Sequence, residues 1–138
     1  MDEKKLLKEG WIKALFRIEV LATSAQAAKS ALEKHVEKLE KEKDAFLVKK
    51  DFGELREVEN PLPRIRKGWS YIVELELLAR SFEKLISLVI SYGPSSIELL
   101  EPEKLEIKLP EAQAILNSLA ELIHRFAAAG LGGILISA

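Results

Sequence analysis

The sequence predicts an α+β fold whose elements follow the order βαββαβ. The main observation is an internal repeat, in which residues 17–24 (RIEVLATS) and residues 74–81 (ELELLARS) carry Glu, Leu, Ala and Ser at the same offsets. Each copy alternates apolar and polar residues, as a half-buried strand does, and ends at a Ser suited to cap a helix. This order is that of the split βαβ, or ferredoxin-like, plait, whose two halves are related by pseudo-symmetry.

The first half begins with a polar leader, residues 1–10, which we expect to be frayed. The first strand starts at Leu15, and Thr23 or Ser24 then caps a helix, with Gln26 placed to complete a capping box. The apolar stripe of that helix is spaced three and four residues apart. Its members are Ala28, Ala31, Leu32, Val36 and Leu39.

The second half begins with a strand at 45–52, which residues 54–59 extend. Residues 60–63 are predicted to be a loop, because two prolines in three residues exclude a central strand. A third strand follows at 69–78, and Ser81 caps a second helix that Gly93 ends. The predicted stripe of that helix is Phe82, Leu85, Ile86, Val89 and Ile90.

The C-terminal part adds further elements to this plait. A fourth strand at 96–100 stops at Pro102, and residues 104–109 alternate as a short hairpin strand. Pro110 suits the first turn of a third helix that Gly130 closes, and a last short strand is predicted at 132–137. We therefore predict one domain, 1–138, with a plait core at 12–102 and a C-terminal extension at 103–138.

Right-handed crossovers place the first and third strands side by side, with both helices on one face of the sheet. The other face then carries Arg17 and three glutamates on adjacent strands. A cluster of carboxylates suits a divalent cation, so Glu19, Glu74 and Glu76 are candidate metal ligands. The simpler interpretation is a solvated or salt-bridged face. The third helix or a second copy of the chain would cover such a face, with Arg17 pairing across to a Glu.

Composition excludes several classes of protein. The chain has no Cys, so disulfides, thiolate catalysis and Cys-based metal sites are excluded. Its net charge of −1 gives no overall attraction to nucleic acid or to anionic lipid. No apolar run is long enough to span a bilayer and no signal peptide is evident, so we expect a cytoplasmic protein. The single Met and the many Lys and Glu resemble a thermophile's composition.

Three further groups of residues are candidate sites. Glu121 and His124 lie three residues apart on one strip of the third helix and could share a proton or a metal, or simply form its polar side. His35 lies within the first helix's apolar stripe and is predicted to be packed rather than catalytic. Arg64, Arg66 and Lys67 form a basic cluster beside Trp69 that could contact phosphate, although three charges are few for nucleic-acid binding.

Residues 71–105 also carry a resemblance to a known family. An alternating strand and a short helix are followed by Gly93 and by the pattern Glu98-Leu99-Leu100, Pro102, Leu105. This stretch resembles the C-terminal extension domain that follows the WYL domain in bacterial transcriptional regulators. The resemblance implies a plait-type unit used for oligomerisation or ligand sensing, without DNA-binding residues. The whole chain resembles the small stand-alone archaeal proteins of unknown function.

The sequence thus favours a non-enzymatic protein that self-associates, as a dimer or higher homo-oligomer, and binds a small ligand or a protein partner. No cofactor motif is present, and nucleic acid and membrane are not expected partners. One alternative is an enzyme that uses Glu121 and His124 or the sheet carboxylates. The other is a weak nucleic-acid binder that uses residues 64–67.

Overall fold

A computed structural model describes residues 2–130, apart from the side chain of Leu62. The described chain is α+β and contains four helices and five strands. In chain order these are α1 (Glu3–Lys8), β1 (Ile12–Ala22), α2 (Ala25–Glu40), β2 (Ala45–Phe52), β3 (Arg56–Leu62), β4 (Ile65–Ala79), α3 (Phe82–Tyr92), β5 (Ser96–Glu101) and α4 (Leu109–Ala128).

The five strands form one antiparallel sheet in the order β2-β4-β1-β5, and β3 also pairs with β4. The prediction that β1 and β4 lie side by side at the centre is confirmed, with Arg17 opposite Glu74 in the register. The sheet nevertheless differs from the predicted plait core of four strands, because β3 is a fifth strand.

The hydrophobic core lies between the sheet and two helices, α2 and α3. Both helices contribute to one buried cluster with the inward residues of β1 and β4, so both pack against the same face. Burying one such Leu or Phe side chain contributes about 1.5–3 kcal/mol. The largest side chains that are almost wholly buried on this face are Phe16, Leu32, Leu39, Leu75, Leu77 and Leu88.

The helix caps follow from the repeat. Ser24 Oγ accepts a hydrogen bond from the Ala27 amide at 3.1 Å, and Ser81 Oγ accepts one from the Lys84 amide at 3.0 Å. Each cap satisfies an amide that the first helical turn leaves unpaired. Gly93 ends α3 at φ 55°, a left-handed conformation that glycine adopts without strain.

The prediction of a frayed leader is wrong. Residues 3–8 form α1, because Asp2 caps it by accepting a hydrogen bond from the Lys4 amide at 3.0 Å. Leu6 is only 4% exposed, and Glu3 forms an ion pair with Lys13 of β1 at 2.6 Å. One buried side chain and one ion pair hold this short helix against the sheet.

The prediction of a loop at 60–63 is wrong for the first three of its four residues. β3 reaches Leu62 and turns back through Pro63 and Arg64 into β4. Proline is tolerated there because, among the described strands, β3 pairs only with β4, so its other side needs no donors. Gly68 of β4 permits the close approach, since a Cβ at that position would lie 2.6 Å from Cγ of Pro61.

The C-terminal part contains the predicted helix but not the predicted hairpin strand. Residues 104–108 form no strand, because their alternating side chains have no partner strand in the described chain. Pro110 lies in the first turn of α4, and Gly130 follows it at φ 74°. The chain divides into two compact units between Lys104 and Leu105. The strand predicted at 132–137 lies outside the described residues.

Candidate functional site

The face of the sheet away from the helices, the open face, carries charged side chains in register. Arg17 of β1 lies opposite Glu74 of β4 and Ser96 of β5, and Leu15 lies opposite Glu76. Directly opposed residues of an antiparallel pair project from the same face. The predicted alternation of buried apolar and outward charged residues is therefore present in both central strands.

The candidate metal ligands do not converge. Glu19 lies opposite Ile72, and its Oε2 accepts a hydrogen bond from Ser70 Oγ at 2.6 Å. Ser70 is a buried polar side chain, so this bond satisfies its hydroxyl. Within residues 2–130 no group of three or more His, Asp or Glu could hold a metal ion. Glu19, Glu74 and Glu76 thus share a face without forming a coordination site there.

One end of the open face is covered by α1. Lys13 projects there and forms the ion pair with Glu3, which raises the pKa of its ammonium group; Glu76 and Glu101 act in the same direction more weakly. Leu78, opposite Lys13 in the register, is completely buried, although it lies outside the main core. This end of the face is therefore closed by the chain itself.

A small cavity lies farther along the same face, between β1, β4 and β5. It encloses about 150 Å³, well below the roughly 300–1,000 Å³ of typical ligand sites. Arg17 lines this cavity and forms no ion pair with any residue of the described chain. The lining residues are Leu15, Arg17, Glu74, Ser96, Ile97 and Glu98.

The basic cluster lies at the tip of the β3–β4 hairpin. Arg64 and Arg66 are exposed there, and Arg64 occupies the turn at φ 72°. Lys67 forms an ion pair with Glu57 at 3.4 Å and lies opposite Glu59 in the register. Acidic residues of β3 thus offset part of the positive charge that a phosphate would need.

The candidate acid–base pair lies on α4. Glu121 and His124 are both exposed, and the same strip carries a hydrogen bond from Gln113 Nε2 to Asn117 Oδ1 at 3.3 Å. No residue of α4 is buried. These features fit the polar side of an amphipathic helix, the simpler of the two interpretations.

The structure brings together one polar cluster that the sequence did not indicate. Glu42, in the turn between α2 and β2, accepts hydrogen bonds from Lys84 Nζ and from Tyr92 Oη, both at 2.7 Å. The Lys84 bond and then the Tyr92 bond lower the pKa of the Glu42 carboxyl. Burial, together with Glu42, raises the pKa of the Tyr92 phenol.

His35 completes this cluster. Its Nε2 is 2.9 Å from the carbonyl oxygen of Tyr92, and its ring meets the Tyr92 ring edge-on at 5.0 Å. A carbonyl oxygen only accepts, so Nε2 carries the proton. The prediction that His35 is packed is confirmed, and the cluster ties α2 and its following turn to the end of α3. Glu42 lies within a run of charged residues, 40–44, so no local pattern in the sequence distinguishes it from its neighbours.

The outer strand β5 is the other exposed feature of the sheet. All six of its residues are exposed, and within the described chain it pairs only with β1. Ile97 lies opposite Phe16 and Leu99 opposite Ala14, so both project on the helix side, where they remain 41% and 52% exposed. An apolar edge strand with unpaired backbone groups is a template for another strand.

The comparisons with known proteins give one family. The sequence model of the MJ0538 family matches residues 13–132, most of the chain, and the chain therefore belongs to that family. No curated protein matches the chain. The family match provides no link to WYL-type regulators, so that resemblance stays a prediction. In the part of the chain that the structure describes, no helix is long and apolar enough to cross a membrane.

Proposed function

We propose that this member of the MJ0538 family is a non-enzymatic, self-associating protein whose sheet pairs with a second copy along β5. The observation that carries the proposal is the exposed apolar edge of β5, with Ile97 and Leu99 open on the helix side. Antiparallel pairing of two such edges joins two sheets into one and hides both sets of backbone groups.

The proposal includes the type of fold. The order β2-β4-β1-β5, with α2 and α3 against one face, supports a ferredoxin-like plait into which β3 is inserted as an additional strand. A plait ends in two outer strands, so edge pairing is a natural route by which it assembles.

The chemistry of β5 favours a second copy as the partner. A two-fold axis through Glu98 places Ile97 of each copy opposite Leu99 of the other. The two copies therefore form two apolar cross-strand pairs, which stabilise strand pairing. The axis also brings the two Glu98 carboxylates together, which is unfavourable unless a cation is near. Arg17 lines the same cavity as Glu98 and is available to offset that charge.

The matched pair Leu99→Lys and Leu21→Lys tests the proposal. The two leucines are 52% and 47% exposed, but Leu21 belongs to a central strand. A Lys at an edge opposes strand pairing, so we expect L99K to weaken assembly at least tenfold, measured by analytical ultracentrifugation, while L21K leaves it unchanged. The opposite result would assign assembly to stacking of the open faces and contradict the proposal.

Hydrogen exchange provides a second measurement that does not depend on a variant. If β5 pairs with a second copy, the amides of residues 96–101 gain protection as protein concentration rises. Protection that is independent of concentration, from micromolar to near-millimolar protein, would contradict edge pairing.

A further inference from the structure

The small cavity on the open face, which we call the Arg17 cavity, is lined by three charged side chains. These belong to Arg17 of β1, Glu74 of β4 and Glu98 of β5. None of the three side chains forms an ion pair or a hydrogen bond with any residue of the described chain. All the lining residues belong to one compact unit, residues 1–104, so the composition of the cavity is set within that unit.

The register of the sheet sets the spacing of these charges. Arg17 lies directly opposite Glu74 on one side and Ser96 on the other, and Glu98 is two residues farther along β5. Direct cross-strand partners have Cα atoms about 4.5–5.5 Å apart, and diagonal neighbours are about 7–8 Å apart. Arg17 therefore lies on the strand between two residues that carry carboxylates, one on each neighbouring strand.

This order of charges disfavours ligands that carry a single sign of charge. An anion attracted by Arg17 is repelled by Glu74 and Glu98, whereas a metal ion or an amine attracted by the two carboxylates is repelled by Arg17. A ligand with one group of each sign satisfies both parts of the lining, because charge-assisted hydrogen bonds then form to the guanidinium and to the carboxylates. The lining thus selects a zwitterion.

The volume of the cavity limits the ligand to a small molecule. About 150 Å³ corresponds to roughly five water molecules at ~30 Å³ each, and so to a ligand of about six non-hydrogen atoms. In an α-amino acid a single carbon atom carries both charged groups, which keeps a doubly charged molecule within this size. Leu15, which is half-buried, provides an apolar contact for a short side chain.

We propose that the Arg17 cavity binds a small free α-amino acid as its zwitterion. The ligand's carboxylate accepts hydrogen bonds from the Arg17 guanidinium, whose forked donors match both oxygens. Its ammonium group donates to Glu74 and Glu98, and its short side chain contacts Leu15. This site adds a ligand to the self-association proposed above and requires only one copy of the chain.

Three probes of similar size test the selection of a zwitterion. L-alanine carries both charged groups, propionate lacks the ammonium group, and ethylamine lacks the carboxylate. Each is titrated into the protein at neutral pH, and amide chemical shifts are followed by NMR. We expect L-alanine to cause saturable shifts at residues 15, 17, 74, 96 and 98. Propionate and ethylamine should bind at least tenfold more weakly, because each leaves part of the charged lining unpaired.

Other results of this titration would overturn the proposal. Propionate that binds as tightly as L-alanine would make the cavity an anion site, and ethylamine that does so would make it a cation site. The absence of saturable shifts at these residues with decimolar L-alanine would show that the cavity binds no amino acid of this size.

Charge-matched variants test the assignment of residues. Arg17→Gln and Glu98→Gln should each weaken L-alanine binding at least tenfold, since each removes one charged partner of the ligand. The controls are Arg66→Gln in the β3–β4 hairpin and Glu101→Gln on β5, because neither residue lines the cavity. All four side chains are exposed, so we expect folded variants, which a dispersed amide spectrum verifies. Unchanged affinity in R17Q, or an equal loss in E101Q, would contradict the site.

A further variant separates this site from the β5 edge. Leu99 projects on the helix side and does not line the cavity, so Leu99→Lys should weaken self-association and leave L-alanine binding unchanged. Loss of L-alanine binding in folded L99K would overturn a site that requires only one copy. Unchanged assembly of L99K would contradict edge pairing, while its retained L-alanine binding would still support the site.

Discussion

The two edges of the sheet differ in how they meet solvent. The edge formed by β2 and β3 has a register shift between Leu47 and Lys49, charged side chains at 49–51, and Pro61 in its outer half. The edge formed by β5 has neither Lys nor Pro within its six residues and exposes Ile97, Leu99 and Leu100. Bulges, Lys and Pro are the means by which proteins prevent unwanted strand pairing.

The contrast between the two edges indicates a role for the β5 edge. In a molecule that protects neither edge, an exposed edge strand would indicate no partner. Here the pairing of both edges includes a register shift, but only the β2–β3 edge carries Lys and Pro, whereas β5 alternates exposed apolar residues with Glu98 and Glu101. We infer that β5 is kept free for a partner, and the following predictions test that difference.

The largest effect should come from the strands that both edges share. Phe16 on β1 adjoins β5, and Leu77 on β4 adjoins β2; both are completely buried. Phe16→Ala should lower the free energy of unfolding by about 3–5 kcal/mol and Leu77→Ala by about 2–5 kcal/mol, measured by urea denaturation. A loss below about 1 kcal/mol for either variant would mean that the two halves of the sheet are not one cooperative core.

The Glu42 cluster should give the next effect. It joins the turn before β2 to the end of α3, the helix before β5. It therefore connects the segments that lead into the two edges of the sheet. Glu42→Gln exchanges two hydrogen bonds to a charged acceptor for weaker ones, at a cost of about 2 kcal/mol at pH 7.

The pH dependence of this effect has a definite sign. The pKa of Glu42 is lowered in the folded protein from its ordinary 4.5, so its contribution is fully present above pH 4.5. It is lost as the pH falls through the lowered folded value. The stability gap between the unaltered protein and E42Q should therefore close on acidification below pH 4.5, as thermal melts at several pH values would show. A gap that stays constant from pH 7 to pH 3 would contradict this assignment.

Removing a charged side chain from the β2 edge should produce a second edge that pairs with another copy of the chain. Lys49 is exposed beside the register shift, and Lys49→Val should tighten self-association about tenfold, about 1.4 kcal/mol. Lys43→Val, in the turn before β2, is the control for added apolar surface. Sedimentation at several concentrations distinguishes them, and equal behaviour of the two variants would mean that the edge charges protect nothing.

The smallest effect should come from a surface ion pair on the protected edge. Lys50 Nζ lies 2.7 Å from Glu40 Oε1, but both side chains are largely exposed. Glu40→Gln should therefore change the unfolding free energy by less than about 0.5 kcal/mol. A loss above 1 kcal/mol in urea denaturation would show that this edge depends on the pair more than its exposure indicates.

The sequence predicted the central part of the fold well, because the repeat records two strands and two caps in local patterns. Ser24 and Ser81 act as predicted, and Pro110 and Gly130 bracket the third predicted helix, now α4. The prediction from sequence failed where contacts between residues far apart in the chain determine the structure. The predicted stripe of α3 included Ile90, yet the helix turns Leu88 and Tyr92 inward, because Tyr92 reaches Glu42 and His35.

The candidate sites were harder to predict for the same reason. Alternation placed Glu19, Glu74 and Glu76 correctly on one face, but not their distances or the hydrogen bond from Ser70. The exposure of Ile97 and Leu99 depends on which strand becomes the edge, and no local pattern records that. The helical spacing of the apolar residues of α4 is evident in the sequence, and Pro110 lies in its first turn as predicted.

The position of β4 has a consequence for the order of folding. β1, β2 and β3 each pair with β4, and none of them pairs with another of the three. A nascent chain that ends at residue 64 therefore lacks every partner its strands require, however much of α2 has formed. Sheet formation must wait for residues 65–79 and must then close the long loop that separates β1 from β4, a connection typical of slower-folding topologies. Until that strand leaves the ribosome, β1, β2 and β3 have none of the strand partners that the described fold gives them.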